Sequence, residues 1–159
     1  MIKGAIFDVD GTLLDSMGIW KDVGVRYLNS IGIEAEPDLG NILFTMSIQE
    51  GVQYVKEHYH LSQEIEEIEQ NVLDIISDYY KETAPLKSGA VELLEKLRNS
   101  NIPMTIASSN NKKEIEMAFE RLEIAKYFDR IFTCEEAGAG KTKPDIYLQA
   151  AEYLGSRPE

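Results

Sequence analysis

The sequence predicts an α/β fold, a parallel sheet flanked by helices and interrupted near its start by an all-helical insertion. Three observations predict it. An apolar run from Met1 to Phe7 ends in two aspartates at i and i+2 and then a glycine, Asp8-Val9-Asp10-Gly11-Thr12. Residues 16–83 carry only helical periodicity. From Ala84-Pro85 onward helices and strands alternate, the pattern of right-handed crossovers in a parallel sheet.

In chain order, the first run is apolar enough for a strand buried on both faces. Trp20, Val23, Tyr27, Leu28 and Ile31 then recur at helical spacing, and Gly32 stops the helix. Pro37 to Phe44 reads as one or two helical turns. Ser47 with Glu50 three residues on forms a capping box, and Ile48, Val52, Val55 and Tyr59 make the apolar stripe behind it. The next helix is the clearest, with Ile65, Ile68, Val72, Ile75, Ile76 and Tyr79 on one face and Glu64, Glu66, Glu67 and Glu69 on the solvated side. Together these rods suit a small bundle.

Beyond the break, residues 88–98 form a helix through Val91, Leu94 and Leu97. Ile102 to Ala107 is a strand ending in Ser108-Ser109-Asn110. Asn111 with Glu114 caps a helix carrying Ile115, Ala118, Phe119 and Leu122. Arg130 to Thr133 is a third strand, Gly138 to Lys143 a loop, and Pro144 opens a last helix with Ile146, Ala150, Tyr153 and Leu154 buried. The expected organisation is therefore a core of residues 1–15 and 84–159, with 16–83 as a helical insertion rising over the end of the first strand.

Composition narrows the partners. At 159 residues there is room for one good core, or a core with an appendage. Sixteen Lys and Arg against 28 Asp and Glu give a charge of −12, which disfavours nucleic acid or an anionic membrane surface, since both need clustered cations. A small anionic substrate stays compatible, because a few local cations and a metal outweigh a diffuse field. A single cysteine, Cys134, leaves no intrachain disulfide and fits a reducing compartment. With no signal-peptide pattern and no span-length apolar window, a cytoplasmic location is expected.

Asp8 and Asp10 share one side of an extended segment at a strand's carboxyl end, where ligands sit in open α/β sheets. They read either as a turn, with Gly11 supplying a positive φ, or as a site for a divalent cation and acid–base or nucleophilic chemistry. Ser108, Ser109 and Asn110 at the next strand end read either as a helix N-cap or as donors to phosphate oxygens. Lys141, in a glycine-flanked loop, reads either as a solvated lysine or as a fixed positive charge. A phosphoryl group is the substrate that uses all three positions, since its transfer needs a nucleophile, a cation and aimed donors. Asp8 would then be the nucleophile, Asp10 the acid that becomes a base, and magnesium would bridge Asp8 and the phosphate. Trp20 is expected in the helical core and Cys134 as a buried hydrophobe; His58 and His60 receive no role.

Asp8-Val9-Asp10-Gly11-Thr12-Leu13-Leu14-Asp15-Ser16, Ile106-Ala107-Ser108-Ser109-Asn110 and Gly140-Lys141-Thr142-Lys143-Pro144-Asp145-Ile146-Tyr147 fall in that order over nearly the whole chain. Their combination resembles the haloacid dehalogenase superfamily, in its phosphatase and β-phosphoglucomutase-like branch with a helical cap after the first strand. The resemblance implies a Rossmann-like core with an all-helical cap, Asp8 as nucleophile, Asp10 as acid and base, Ser108 as phosphate ligand and Lys141 as charge clamp. It also implies magnesium held by Asp8 and the backbone carbonyl of Asp10, and a small phosphorylated metabolite as substrate. Thr142 stands where the family usually has proline. Trp20 stands where the mutases carry a hinge histidine, and Ile48 where they carry an arginine, so a phosphatase is expected over a phosphosugar mutase. The family's fourth, acidic motif would follow Gly155-Ser156. Its absence makes a fragment of limited activity a further expectation, with strand 1 an open edge prone to self-association.

Overall fold

In a computed structural model of the chain, residues 2–156 are described; Met1, where the first apolar run begins, and residues 157–159 lie outside them. The order is β1 (Ala5–Phe7), α1 (Met17–Ser30), α2 (Leu39–Leu43), α3 (Ile48–His58), α4 (Ile65–Glu82), α5 (Ala90–Asn99), β2 (Met104–Ser108), α6 (Lys112–Arg121), β3 (Arg130–Thr133), α7 (Cys134–Ala137) and α8 (Asp145–Tyr153). A short 3-10 turn, Ala125–Tyr127, precedes β3. The chain divides into two compact units, Met1–Asp15 with Tyr80–Glu159, and Ser16–Tyr79.

The first unit is built on a parallel sheet in the order β1-β2-β3. Phe7 sits opposite Ile106, Ile106 opposite Ile131, and Ser108 opposite Thr133, so the carboxyl ends of all three strands lie on one side. All five residues of β2 are buried, as a central strand requires. β1 differs. It is short, it lies at the edge of the described sheet, and Ile6 at its middle is 36% exposed. The expectation of a strand buried on both faces is thereby corrected, because an apolar run does not say what packs over each face. Ala107 and Phe132 pack with Ile146 and Ala150 of α8, and Cys134, expected as a buried hydrophobe, packs against that cluster half-buried. α8 also closes on the start of β1: a Cβ at Gly4 would stand 2.9 Å from Leu154 Cδ1.

The second unit is helical throughout. α1 buries Ile19, Gly24, Tyr27 and Leu28, while Trp20, expected in the core, is only half-buried. Tyr27 and Leu28 are buried as the periodicity expects, while Ile19 and the small Gly24 take buried places in the first half of the helix where Trp20 and Val23 were expected. α1 and α2 approach closely at Gly40, where a Cβ would fall 2.7 Å from the backbone oxygen of Lys21. Ser47 caps α3 with the full reciprocal box: its hydroxyl accepts from the Glu50 N–H, and its own N–H donates to the Glu50 carboxylate. α4 buries Ile68, Val72, Ile76 and Tyr79. The units part between Tyr79 and Tyr80, inside the last turn of α4 rather than at Ala84-Pro85. Tyr80 is fully buried in the first unit, where its backbone and hydroxyl both find partners.

Candidate active site

The loop after β1 is a compact knot of backbone hydrogen bonds. The Val9 carbonyl accepts from the N–H groups of Thr12, Leu13 and Leu14 at 3.2, 2.9 and 3.0 Å, and Gly11 turns the chain with φ at +76°. Asp15 N–H donates to Pro85 and Lys87 N–H donates to Leu13, each at 2.8 Å, which ties the loop to the returning chain. Val9, Leu13 and Leu14 are buried at the base of this knot. Asp8 and Asp10 flank Val9 and stay half-exposed. Two carboxylates are thus presented on a backbone with little freedom to move.

At the end of β2 the side chain of Ser108 is buried and its Oγ accepts from the Asn110 N–H at 3.1 Å. Asn111 caps α6, accepting from the Lys113 N–H at 2.9 Å. Asn110 Oδ1 accepts from the Asn111 N–H at 2.7 Å, which orients its amide so that Nδ2 donates to Asp10 Oδ2 at 3.1 Å. Lys141 reaches back from the loop before α8 and places Nζ 2.5 Å from Asp8 Oδ1. Its side chain is 24% exposed against 41% for Asp8, so this ion pair is only partly screened by water.

Of the residues singled out in the sequence, the fold brings Lys141 onto Asp8 and Asn110 onto Asp10, and the Asn110 N–H donates to the Ser108 hydroxyl. Ser109 is turned aside: it is exposed, and its Oγ lies 3.4 Å from Cys134 Sγ. Asn110, expected among the phosphate ligands, spends its amide on Asp10. One residue of this cluster escaped sequence reasoning. Tyr80 donates its hydroxyl to Asp10 Oδ1 at 2.5 Å. Its signal was present, four residues beyond Ile76 on the apolar stripe of α4, but the stripe was closed at Tyr79.

The donor set at the end of β1 is all hard oxygen, which suits magnesium, a cation that keeps several waters and takes few protein carboxylates. Both Asp10 carboxylate oxygens accept hydrogen bonds. Among the described residues no group of three or more His, Cys, Asp or Glu side chains comes together to hold a metal. None of their helices is long and apolar enough to cross a membrane.

A family model described as haloacid dehalogenase-like hydrolase matches residues 2–159. The chain belongs to that family. Relatives of this hydrolase include a phosphorylated carbohydrates phosphatase of Thermotoga maritima, 27% identical over 99% of this chain and 73% of that protein. Hexitol phosphatase B of Escherichia coli K12 is 25% identical over 99% of this chain and 72% of its own length. In three dimensions the hydrolase is similar to a Thermotoga maritima crystal structure described as a "putative beta-phosphoglucomutase", with a TM-score of 0.90, 27% identity, and coverage of 100% of this chain and 73% of that one.

Proposed function

We propose that this hydrolase is a phosphatase for small phosphorylated carbohydrates, with Asp8 as the nucleophile. The observation that carries the reading is the Lys141–Asp8 contact, an ammonium drawn across the sheet end onto the first carboxylate of the loop. Two relatives named as carbohydrate and hexitol phosphatases support the substrate class.

In the first step an Asp8 carboxylate oxygen attacks phosphorus, the bond to the sugar oxygen breaks, and that oxygen takes a proton from Asp10. In the second, the Asp10 carboxylate takes a proton from water, whose oxygen attacks the aspartyl-phosphate and releases inorganic phosphate and Asp8. Lys141 holds Asp8 in place and offsets the charge that gathers there; the Ser108 hydroxyl is the donor nearest the end of β2 for a phosphate oxygen. Asp8 and the Asp10 carbonyl would hold magnesium, which would supply further neutralisation of the phosphate oxygens. The helical unit, Ser16–Tyr79, serves in this reading as the family's cap and sets specificity.

A phosphosugar mutase is the second reading, favoured by the description of the structural neighbour. Trp20 and Ile48 weigh against it, standing where that branch carries a histidine and an arginine. Turnover of a hexitol phosphate, followed by phosphate release and product analysis with magnesium present, separates the two. The phosphatase reading expects free phosphate and the dephosphorylated alcohol; a positional isomer of the sugar phosphate would favour the mutase. Asp8→Asn should remove turnover of p-nitrophenyl phosphate while leaving the circular dichroism spectrum intact. Parental turnover in that variant would overturn the assignment.

A further inference from the structure

We infer that Tyr80 is a positioning residue for Asp10, anchored from behind by Arg121. The inference rests on the phosphatase reading, in which Asp10 delivers and recovers the proton.

Tyr80 is 0% exposed, so no bulk water competes for its hydroxyl, which donates to Asp10 Oδ1 at 2.5 Å. Asn110 Nδ2 holds the other oxygen at 3.1 Å. A carboxyl group gripped at both oxygens cannot turn about its terminal torsion without breaking one bond. The Tyr80 end of this grip is fixed in its turn. Arg121, the last residue of α6, donates through Nη2 to the carbonyl of Tyr80 at 3.2 Å and to that of Ala84 at 2.5 Å. Carbonyls at a helix C-terminus lack intrahelical donors and favour a cation, so Arg121 both satisfies and locks the end of α4. The path runs from α6 through the end of α4 and a rigid phenol to the carboxylate. It fixes where the Asp10 proton is delivered, and small misplacements at such a point are costly, roughly a hundredfold for 1 Å.

The test compares leaving groups. Tyr80→Phe keeps the ring and its packing and removes only the hydroxyl. For a hexitol phosphate, whose alkoxide must be protonated as it departs, kcat/KM should fall about tenfold or more with little change in KM. For p-nitrophenyl phosphate, whose phenolate leaves without a proton, the fall should be distinctly smaller. Arg121→Lys should show the same split more weakly. Equal losses on both substrates, or none, overturn the inference. Two controls distinguish the levels of the argument: if the parental chain releases no phosphate from either ester, the phosphatase reading itself fails, and if Asp10→Asn spares hexitol phosphate turnover, the proton-transfer role of Asp10 fails and the inference with it. If Asp10→Asn is inactive but Tyr80→Phe is parental, the inference alone fails. Isotope-edited infrared spectroscopy reads the same contact without turnover. Tyr80→Phe should move an aspartate carboxylate stretch, and should not do so in an Asp10→Asn background; an unmoved band in the otherwise parental chain overturns the proposal.

Discussion

The two units use polar side chains in opposite ways. Among the described residues of the helical unit, three polar contacts that span twenty residues or more are exposed: His58 to Glu36, Tyr59 to Glu36 and Gln49 to Glu69 lie 22, 23 and 20 residues apart. In the α/β unit three contacts converge on two aspartates from 133, 100 and 70 residues away, and all three are partly buried. Exposed pairs add little to stability, and their loss leaves nothing stranded. Partly buried ones are costly to assemble and costly to break, which is the condition a reactive group needs in order to stay oriented. The contrast locates the chemistry in the α/β unit and leaves the helical unit held by apolar packing and caps.

If that contrast is right, substitutions in the two units should fail differently. The largest effect expected is on turnover, from Asp8→Asn, a loss of about a thousandfold or more with the fold retained. Lys141→Ala should follow, lowering kcat/KM about a hundredfold, with Lys141→Arg restoring only part because a planar guanidinium does not replace a compact ammonium. Steady-state kinetics on p-nitrophenyl phosphate measures both. In the helical unit the readout is stability. Gly40→Val should destabilise by about 1–3 kcal/mol in urea titration, because the new side chain meets the Lys21 backbone, which has no rotamer to yield. Ser47→Ala should cost about 1 kcal/mol through the lost cap on α3.

The smallest effect is a pH dependence in the same cap. The Ser47 N–H, and then its hydroxyl, hold Glu50 below the ordinary carboxylate range. A group whose acidity is strengthened by folding contributes its stability above its unfolded pKa and loses it as pH falls through the folded one. Comparing parent and Ser47→Ala in denaturant titrations from neutral to acidic pH should therefore show their difference narrowing toward acid. A difference that widens would contradict the sign.

Much of this was legible in the residues. Arg130 to Thr133 folds as the strand expected, and Ser47 with Glu50 forms the box its spacing announced, because both signals are local. Asp8 and Lys141 were legible as a pair only through three motifs taken in order, since no local rule joins residues so far apart. Three features were hidden. The open edge of β1 was expected from the absent fourth motif, but the exposure of Ile6 depends on what packs over that face of the strand, which an apolar run does not record. The face of α1 is set by Gly24, a residue whose small size matters only once a partner is packed against it. Tyr80 went unread because the apolar stripe was followed only to Tyr79, and its role emerges only from the fold that brings Asp10 to its hydroxyl.

The claim on which the account rests is that phosphate passes through a covalent bond to Asp8. Acid-quenching the chain during turnover of p-nitrophenyl phosphate, reducing any acyl phosphate with borohydride, and mapping the peptides by mass spectrometry tests it directly. The account predicts homoserine at position 8 and at no other acidic position. Sustained turnover with no reduced residue, or with reduction at a different aspartate or glutamate, would contradict it.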